Sequence, residues 1–381
     1  MAARLLLLLL HRAGVGSTGS RSGCSGGRWF RTSAQSRSPG SSRSECCTSA
    51  QRVTHSEGGR GRRGSLLWAA GVFSFLSGTV EQPKDEAERK EEEIILLLKK
   101  AKLNVYHGHF QAASRLLHQA VVLAHQTHNT QAIIYTYSLM ANVAYVQGQL
   151  DNAEKLFKAA MSFMLAGGTP QDDNAVIEMS LKLAAIYAEQ KNVEMAEHGF
   201  RFCTESLKAK LEKEQELSEE EESMRKETRL LLGLCLDSRA RYRASQLQLS
   251  QAGQDYQDAL DICCQEQGET HPQTLVLMSD LATILDLQGR HDDALKLIQQ
   301  AVDLGRSAGH PDQHVLLLNL AGILMHTGRR KDSVRLYHEA LSSARQAGDE
   351  EAVERVHEGL EELKKRKEQE EEKEEEEQEA H

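Results

Sequence analysis

GQLDNAEKLFKAA, at residues 148–160, joins a turn to a helix that has one apolar face. Leu150, Ala153, Phe157 and Ala160 are three or four residues apart, so they lie on the same side of that helix. The two alanines allow a second helix to approach closely, and the bulky Phe157 between them fills the groove to the next pair of helices. The stretch therefore predicts the second helix of a helical hairpin.

The same order of small, bulky and small residues recurs along the chain. Successive copies begin 40, 43, 56, 42 and 39 residues apart. Such repetition is typical of stacked units, each of which buries its apolar face only against its neighbours. We therefore predict an all-α superhelix of about six long helical hairpins. The small pairs are Ala113/Ala120, Ala153/Ala160, Ala196/Cys203, Ala252/Ala259, Ala294/Ala301 and Ser333/Ala340, with Leu117, Phe157, Phe200, Tyr256, Ile298 and Tyr337 between them.

This pattern resembles the tetratricopeptide repeat, whose standard length is about 34 residues. The longer intervals predict helices that are extended by about a turn or more. The turns ending in His271-Pro272 and His310-Pro311 resemble those in the long repeats of kinesin light chains, where proline opens a helix without losing a needed hydrogen bond. We predict the repeat domain at residues 91–348 and a charged C-terminal helix or tail at residues 349–381.

The N-terminal 63 residues differ in charge from the rest of the chain. They contain 11 Arg, no Lys and only two acidic residues, which gives +9, whereas the whole chain carries −10 and the remainder therefore −19. This Arg- and Ser-rich leader predicts a disordered mitochondrial transit peptide, with a secretory signal at Leu5–Leu10 as the alternative. The acidic remainder argues against nucleic acid as a partner, because phosphate binding needs clustered cations.

Residues 64–80 are uncharged and form a candidate transmembrane anchor. Their 17 residues are at the lower limit for a spanning helix, and a buried core helix or the end of the leader is the alternative interpretation. Arginines precede the segment, whereas Glu81 and Asp85 follow it. By the positive-inside tendency, we expect the repeat domain to face the intermembrane space from the inner mitochondrial membrane.

Motifs for catalysis, cofactors or metals are absent from the sequence. It lacks a phosphate-binding glycine loop, HExxH, paired CxxC motifs and a nucleophile elbow, so we predict no catalytic residues, no cofactor, no metal and no small-molecule substrate. A peptidase within a helical scaffold would need such a set. The four cysteines outside the leader, Cys203, Cys235, Cys263 and Cys264, are expected to be small core residues.

Function is expected on the concave surface, which the first helices of the hairpins form. Such surfaces typically bind an extended segment or a helix of another protein. The repeat frame places six candidate partner-binding residues on or near this face, although packing between helices is the alternative for Tyr145. They are Tyr135, Asn142 and Tyr145 in the second repeat, Thr283 and Asp286 in the fifth, and Asn319 in the sixth.

Three stretches resemble a more specific family, tetratricopeptide repeat protein 19 of mitochondria, and the likeness extends over residues 91–363. That resemblance implies association with the inner mitochondrial membrane and with respiratory complex III, through the turnover of fragments of its Rieske iron–sulfur subunit. It implies no catalytic residue. The stretches are YTYSLMANVAYVQGQLDNAEKLFKAAMSFMLAGG (Tyr135–Gly168), DNAVIEMSLKLAAIYAEQ (Asp173–Gln190) and GETHPQTLVLMSDLATILDLQGRHDDA (Gly268–Ala294).

The expected function is therefore that of a non-catalytic binder. We predict that it binds the core subunits of complex III and the Rieske protein and supports the integrity of the complex by helping to clear Rieske fragments. The alternative is a generic repeat scaffold or a cargo adaptor of the kinesin light chain type. Import into mitochondria would exclude the cargo adaptor.

Overall fold

A computed structural model describes residues 86–212 and 219–379. The regular elements in these ranges are all α-helices. They are α1 (Glu86–Tyr106), α2 (Phe110–Gln126), α3 (Thr130–Val146), α4 (Leu150–Ala166), α5 (Asn174–Glu189), α6 (Val193–Glu212), α7 (Glu219–Ser245), α8 (Leu249–Gln267), α9 (Pro272–Leu287), α10 (His291–Ala308), α11 (Gln313–His326), α12 (Arg330–Ala347) and α13 (Glu350–Glu379).

Consecutive helices pair into six hairpins, from α1 with α2 to α11 with α12. The first helix of one hairpin also packs against the first helix of the next, as α5 does against α7 and α9 against α11. Helix α13 packs on α12 and α11 and covers the C-terminal end of the stack. The predicted all-α superhelix of long helical hairpins is therefore confirmed.

The repeated frame forms the contacts that hold the hairpins together. All twelve small positions and all six bulky positions of the frame are buried, and none of the bulky side chains is more than 3 % exposed. Helices come especially close where a Cβ added to Gly199 would lie 2.7 Å from the Cβ of Ala184. Burying a side chain of the size of Phe157 or Leu117 stabilises the fold by about 1.5–3 kcal/mol.

The long interval between the third and fourth copies of the frame is explained by the length of α7, which has 27 residues.

The predicted leader at residues 1–63 and the candidate anchor at residues 64–80 lie outside the described residues. In the part of the chain that the structure describes, no helix combines the length and the apolar character that crossing a bilayer requires.

Turns between the helices use a left-handed residue. Glycine occupies most of these positions, including Gly148 with φ +72°, but Leu247 has φ +61° and a side chain that is 61 % exposed. A left-handed backbone costs a residue with a Cβ about 1–2 kcal/mol, and glycine avoids this cost. Leu247 therefore carries local strain without a compensating buried contact.

Exchanging the residue types at these two turns should change stability in opposite directions. We expect Leu247→Gly to raise the free energy of unfolding by about 0.5–1 kcal/mol, because relief of strain exceeds the added entropy of the unfolded chain. Gly148→Leu should lower the free energy of unfolding by about 1–2 kcal/mol. Urea unfolding of the purified chain measures both changes, and destabilisation by Leu247→Gly would contradict the assignment of strain.

Candidate protein-binding surface

The first helices α3, α5, α7, α9 and α11 form a layer in which α5 contacts α7 and α9 contacts α11, and this layer is called the inner surface below. Side chains three, four and seven residues apart on each first helix point in the same direction. The polar residues of this layer that concern binding come from neighbouring repeats. They are Tyr135, Asn142 and Tyr145 on α3, Glu189 on α5, Asp237 and Arg241 on α7, Asp280 on α9, and Asn319 on α11.

Tyr135 is the most accessible of the predicted contact residues. Its side chain is 38 % exposed, and the Nζ of Lys102 lies 4.9 Å from the centroid of its ring. Asn142, two turns further along α3, is half-buried. An exposed tyrosine near an amide provides both apolar area and hydrogen-bonding groups, a combination that is common in protein interfaces.

Tyr145 links the second and third repeats. Its hydroxyl donates a hydrogen bond to the Glu189 carboxylate at the end of α5. Burial raises the pKa of Glu189 to about 7, although the hydrogen bond from Tyr145 partly opposes this shift. Burial and the charge of Glu189 also raise the pKa of the Tyr145 hydroxyl, which therefore remains a donor. Tyr145 thus does pack between helices, as the alternative interpretation proposed, and it also lies in the polar part of the inner surface.

A second polar group follows on α7. Arg241 and Asp237 form an ion pair across one helical turn, and the side-chain amide of Gln273 on α9 donates to Asp237 at 3.4 Å. Burial disfavours the charged guanidinium, but the carboxylates of Asp237 and Asp280 help to raise the pKa of Arg241 above its ordinary value. Asp237 and Asp280 are almost fully buried, so these charges of both signs lie within the layer and not on its exposed face.

The three predicted residues near the C-terminal end are mainly involved in internal contacts. Asp286 is 3 % exposed and accepts hydrogen bonds from His291, at 2.7 Å, and His326, at 2.5 Å. Thr283 is buried and donates to the main-chain carbonyl of Ser279 at 2.9 Å. Asn319 is half-buried and donates to the Ser279 hydroxyl at 2.7 Å. These contacts join α9, α10 and α11, and Asn319 retains some accessible surface.

The six predicted residues thus fall into two groups. Tyr135, Asn142 and Tyr145 lie along α3, whereas Thr283, Asp286 and Asn319 lie on α9 and α11 further along the superhelix. Sequence reasoning missed Glu189, Asp237 and Arg241, which lie between the two groups. The spacing of four residues between Asp237 and Arg241, on the first helix of the fourth repeat, was the available signal.

The chemistry of this surface is that of hydrogen bonding and ion pairing. In the described residues, no group of three or more His, Cys, Asp or Glu side chains is arranged to hold a metal ion. Cys203, Cys235 and Cys263 are buried, as predicted for core residues, and Cys264 is half-buried. Burial raises the pKa of the Cys263 thiol to about 12, which makes it a poor nucleophile.

The Glu189 site should make stability depend on pH. The folded chain holds the Glu189 proton up to about pH 7, whereas the unfolded chain releases it near the ordinary value of 4.5. The free energy of unfolding should therefore fall between these two pH values, by up to about 3 kcal/mol. Urea unfolding over this range checks the slope. Glu189→Gln should flatten it, whereas the exposed Glu205→Gln should not, and an unchanged slope in Glu189→Gln would contradict the prediction.

Family models match three parts of the chain. The tetratricopeptide repeat matches residues 235–307 and 316–351, and anaphase-promoting complex subunit 5 matches residues 86–154. The first two matches include the last hairpins, where the sequence frame is regular.

Two solved structures resemble the fold at low sequence identity. The apo form of RapI is 12 % identical, with a TM-score of 0.51, over 72 % of this chain and 82 % of that chain. A signal-transduction ATPase with a tetratricopeptide repeat sensor, from Pyrococcus horikoshii, is 14 % identical, with a TM-score of 0.50, over 69 % of this chain and 37 % of that chain. At such identities the likeness concerns the fold alone.

Curated relatives are far more similar. Tetratricopeptide repeat protein 19, mitochondrial, of Danio rerio is 65 % identical over 315 residues, which cover 82 % of this chain and 78 % of the relative. The Mus musculus protein of that name is 54 % identical over 245 residues, covering 63 % and 67 %. The resemblance noted in the sequence is confirmed, and the chain belongs to the tetratricopeptide repeat protein 19 family.

Proposed function

We propose that this protein is a non-catalytic mitochondrial repeat protein that binds respiratory complex III. Its partners would be the core subunits of the complex and the Rieske iron–sulfur protein, and it would support assembly and integrity by helping to clear Rieske fragments. The observation that supports the binding role is the layer of first helices, on which Tyr135 is exposed and Asn142 and Asn319 are half-buried.

The proposal also concerns where in the cell the protein is located. The relatives carry the word mitochondrial in their names, which supports a mitochondrial location for this chain. Residues 1–63 would direct import, residues 64–80 would anchor the protein in the inner membrane, and the repeat domain would face the intermembrane space. The Arg-rich leader and the change to acidic residues after position 80 support this arrangement.

The proposed mechanism is capture without covalent chemistry. An extended fragment has unpaired main-chain groups, and half-buried amides such as those of Asn142 and Asn319 can both donate to and accept from them. Tyr135 adds exposed aromatic area beside these amides. The Asp237–Arg241 pair is largely buried and would hold α7 in position beneath a bound fragment. A fragment held in this way stays extended and accessible to proteases.

Variants on the two surfaces of the superhelix test this proposal. The tagged full-length protein is recovered from isolated mitochondria in mild detergent, and bound complex III subunits and Rieske fragments are quantified by mass spectrometry. We expect Tyr135→Ala with Asn142→Ala to reduce their recovery about tenfold, because loss of an interface tyrosine commonly costs more than about 1 kcal/mol.

The matched control changes two exposed residues on the second helix of the first hairpin, His118→Ala with Val122→Ala. This control should recover complex III as the unmodified protein does. Absence of complex III from the unmodified pulldown, or equal recovery with both double variants, would contradict the proposal. Recovery of kinesin or cytosolic cargo instead would favour the adaptor alternative.

A further inference from the structure

Helix α1 has a second apolar stripe on the side that faces away from the superhelix. Leu96, Leu103 and Tyr106 are 50 %, 57 % and 76 % exposed, and their spacing of seven and three residues places them on one side of the helix. Ile94, Leu98 and Ala101 are buried on the opposite side, which packs against the rest of the stack. A helix with apolar residues on two sides normally has neighbours on both.

The two ends of the superhelix differ in whether their outer face is polar or apolar. The terminal units of a repeat protein need a polar outer face to remain soluble. At the C-terminal end, α13 meets this need, because beyond the buried Leu363 its residues are mainly Lys, Arg and Glu. At the N-terminal end, the outer stripe of α1 has no neighbour among the described helices. Within the described part of the chain, the stripe is therefore uncovered.

Basic residues surround this stripe. Lys99 and Lys100 lie between Leu96 and Leu103, and both are exposed. Lys102 follows them and lies over the ring of Tyr135. Helices in which leucine and tyrosine alternate with lysine bind anionic membrane surfaces, where the leucines enter the boundary region and tyrosine lies at headgroup level.

We propose that this outer stripe of α1 rests on the surface of an anionic phospholipid bilayer. Helix α1 begins at Glu86, six residues after Val80, so an anchor at residues 64–80 would hold the helix close to the membrane. The first half of α1 carries five glutamates, which an anionic surface repels. The contact is therefore made by the second half, from Leu96 to Tyr106, and the hairpin turn that follows points toward the bilayer.

The size of the stripe favours a bilayer over a protein as its occupant. A specific protein interface buries about 800 Å² on each partner, far more than three side chains provide. A tethered helix needs less area, because the tether supplies a high effective concentration. This inference rests on the anchor of the proposed function, but it concerns how the repeat domain is held and not what its inner surface binds.

Site-specific photo-crosslinking in the full-length chain tests the contact. A photo-reactive benzoylphenylalanine replaces Tyr106, or, as the control, Val334, which is 37 % exposed on α12. The protein is reconstituted into vesicles of phosphatidylcholine with cardiolipin, or of phosphatidylcholine alone, and lipid adducts are identified by mass spectrometry. We expect lipid adducts at position 106 on the cardiolipin vesicles and none at position 334.

Charge variants in the same experiment separate the role of the lysines from that of the apolar residues. Lys99→Glu with Lys100→Glu should lower the adduct yield on cardiolipin vesicles at least about fivefold, whereas Lys99→Arg with Lys100→Arg should preserve it. Circular dichroism checks that each variant is folded. Equal yields at positions 106 and 334, adducts at position 106 with protein only, or no effect of the glutamate variants would overturn the proposal.

Discussion

Close contact between small residues on paired helices is the constraint on which the other features of this structure depend. The alanines of the frame are fully buried, and between α5 and α6 the backbones are so close that only glycine fits at position 199. The bulky residue between each small pair then fills the space toward the next hairpin. Because every hairpin is completed by its neighbour, the first helices are forced into one layer, and that layer is the inner surface.

Burying polar groups in this layer costs free energy unless they are paired, and paired groups are less available for binding. A buried charge is tolerated only when it is paired, and Arg239 and Arg243 on α7, for example, bind the buried Asp255 on the neighbouring α8 at 2.7 Å and 2.6 Å. Asp286 likewise bridges two histidines from different helices. Groups held in this way position the helices, whereas the more exposed Tyr135 and Asn142 remain available to a partner. In the proposed function, stability and recognition are therefore divided between different residues.

The repeat frame was predictable from the sequence because it depends on local spacing. The order of small and bulky residues identified the second helix of every hairpin, and the same frame assigned Tyr145 and Asn319 to the first helices. The environment of each side chain was less predictable. Glu189 lies beside Tyr145 only because α3 and α5 are adjacent in space, although the two residues are 44 apart in the chain. Burial of Asp286 similarly depends on two other helices, which spacing alone does not reveal.

Hydrogen exchange on the purified chain, with and without synthetic fragments of the Rieske subunit, tests most directly whether the inner surface is the binding surface. We expect a bound fragment to slow exchange in the first helices, above all in α3, α5 and α7, and to leave exchange in the second helices α2, α4 and α8 unchanged. Slower exchange confined to the second helices, or no change at saturating fragment, would contradict it.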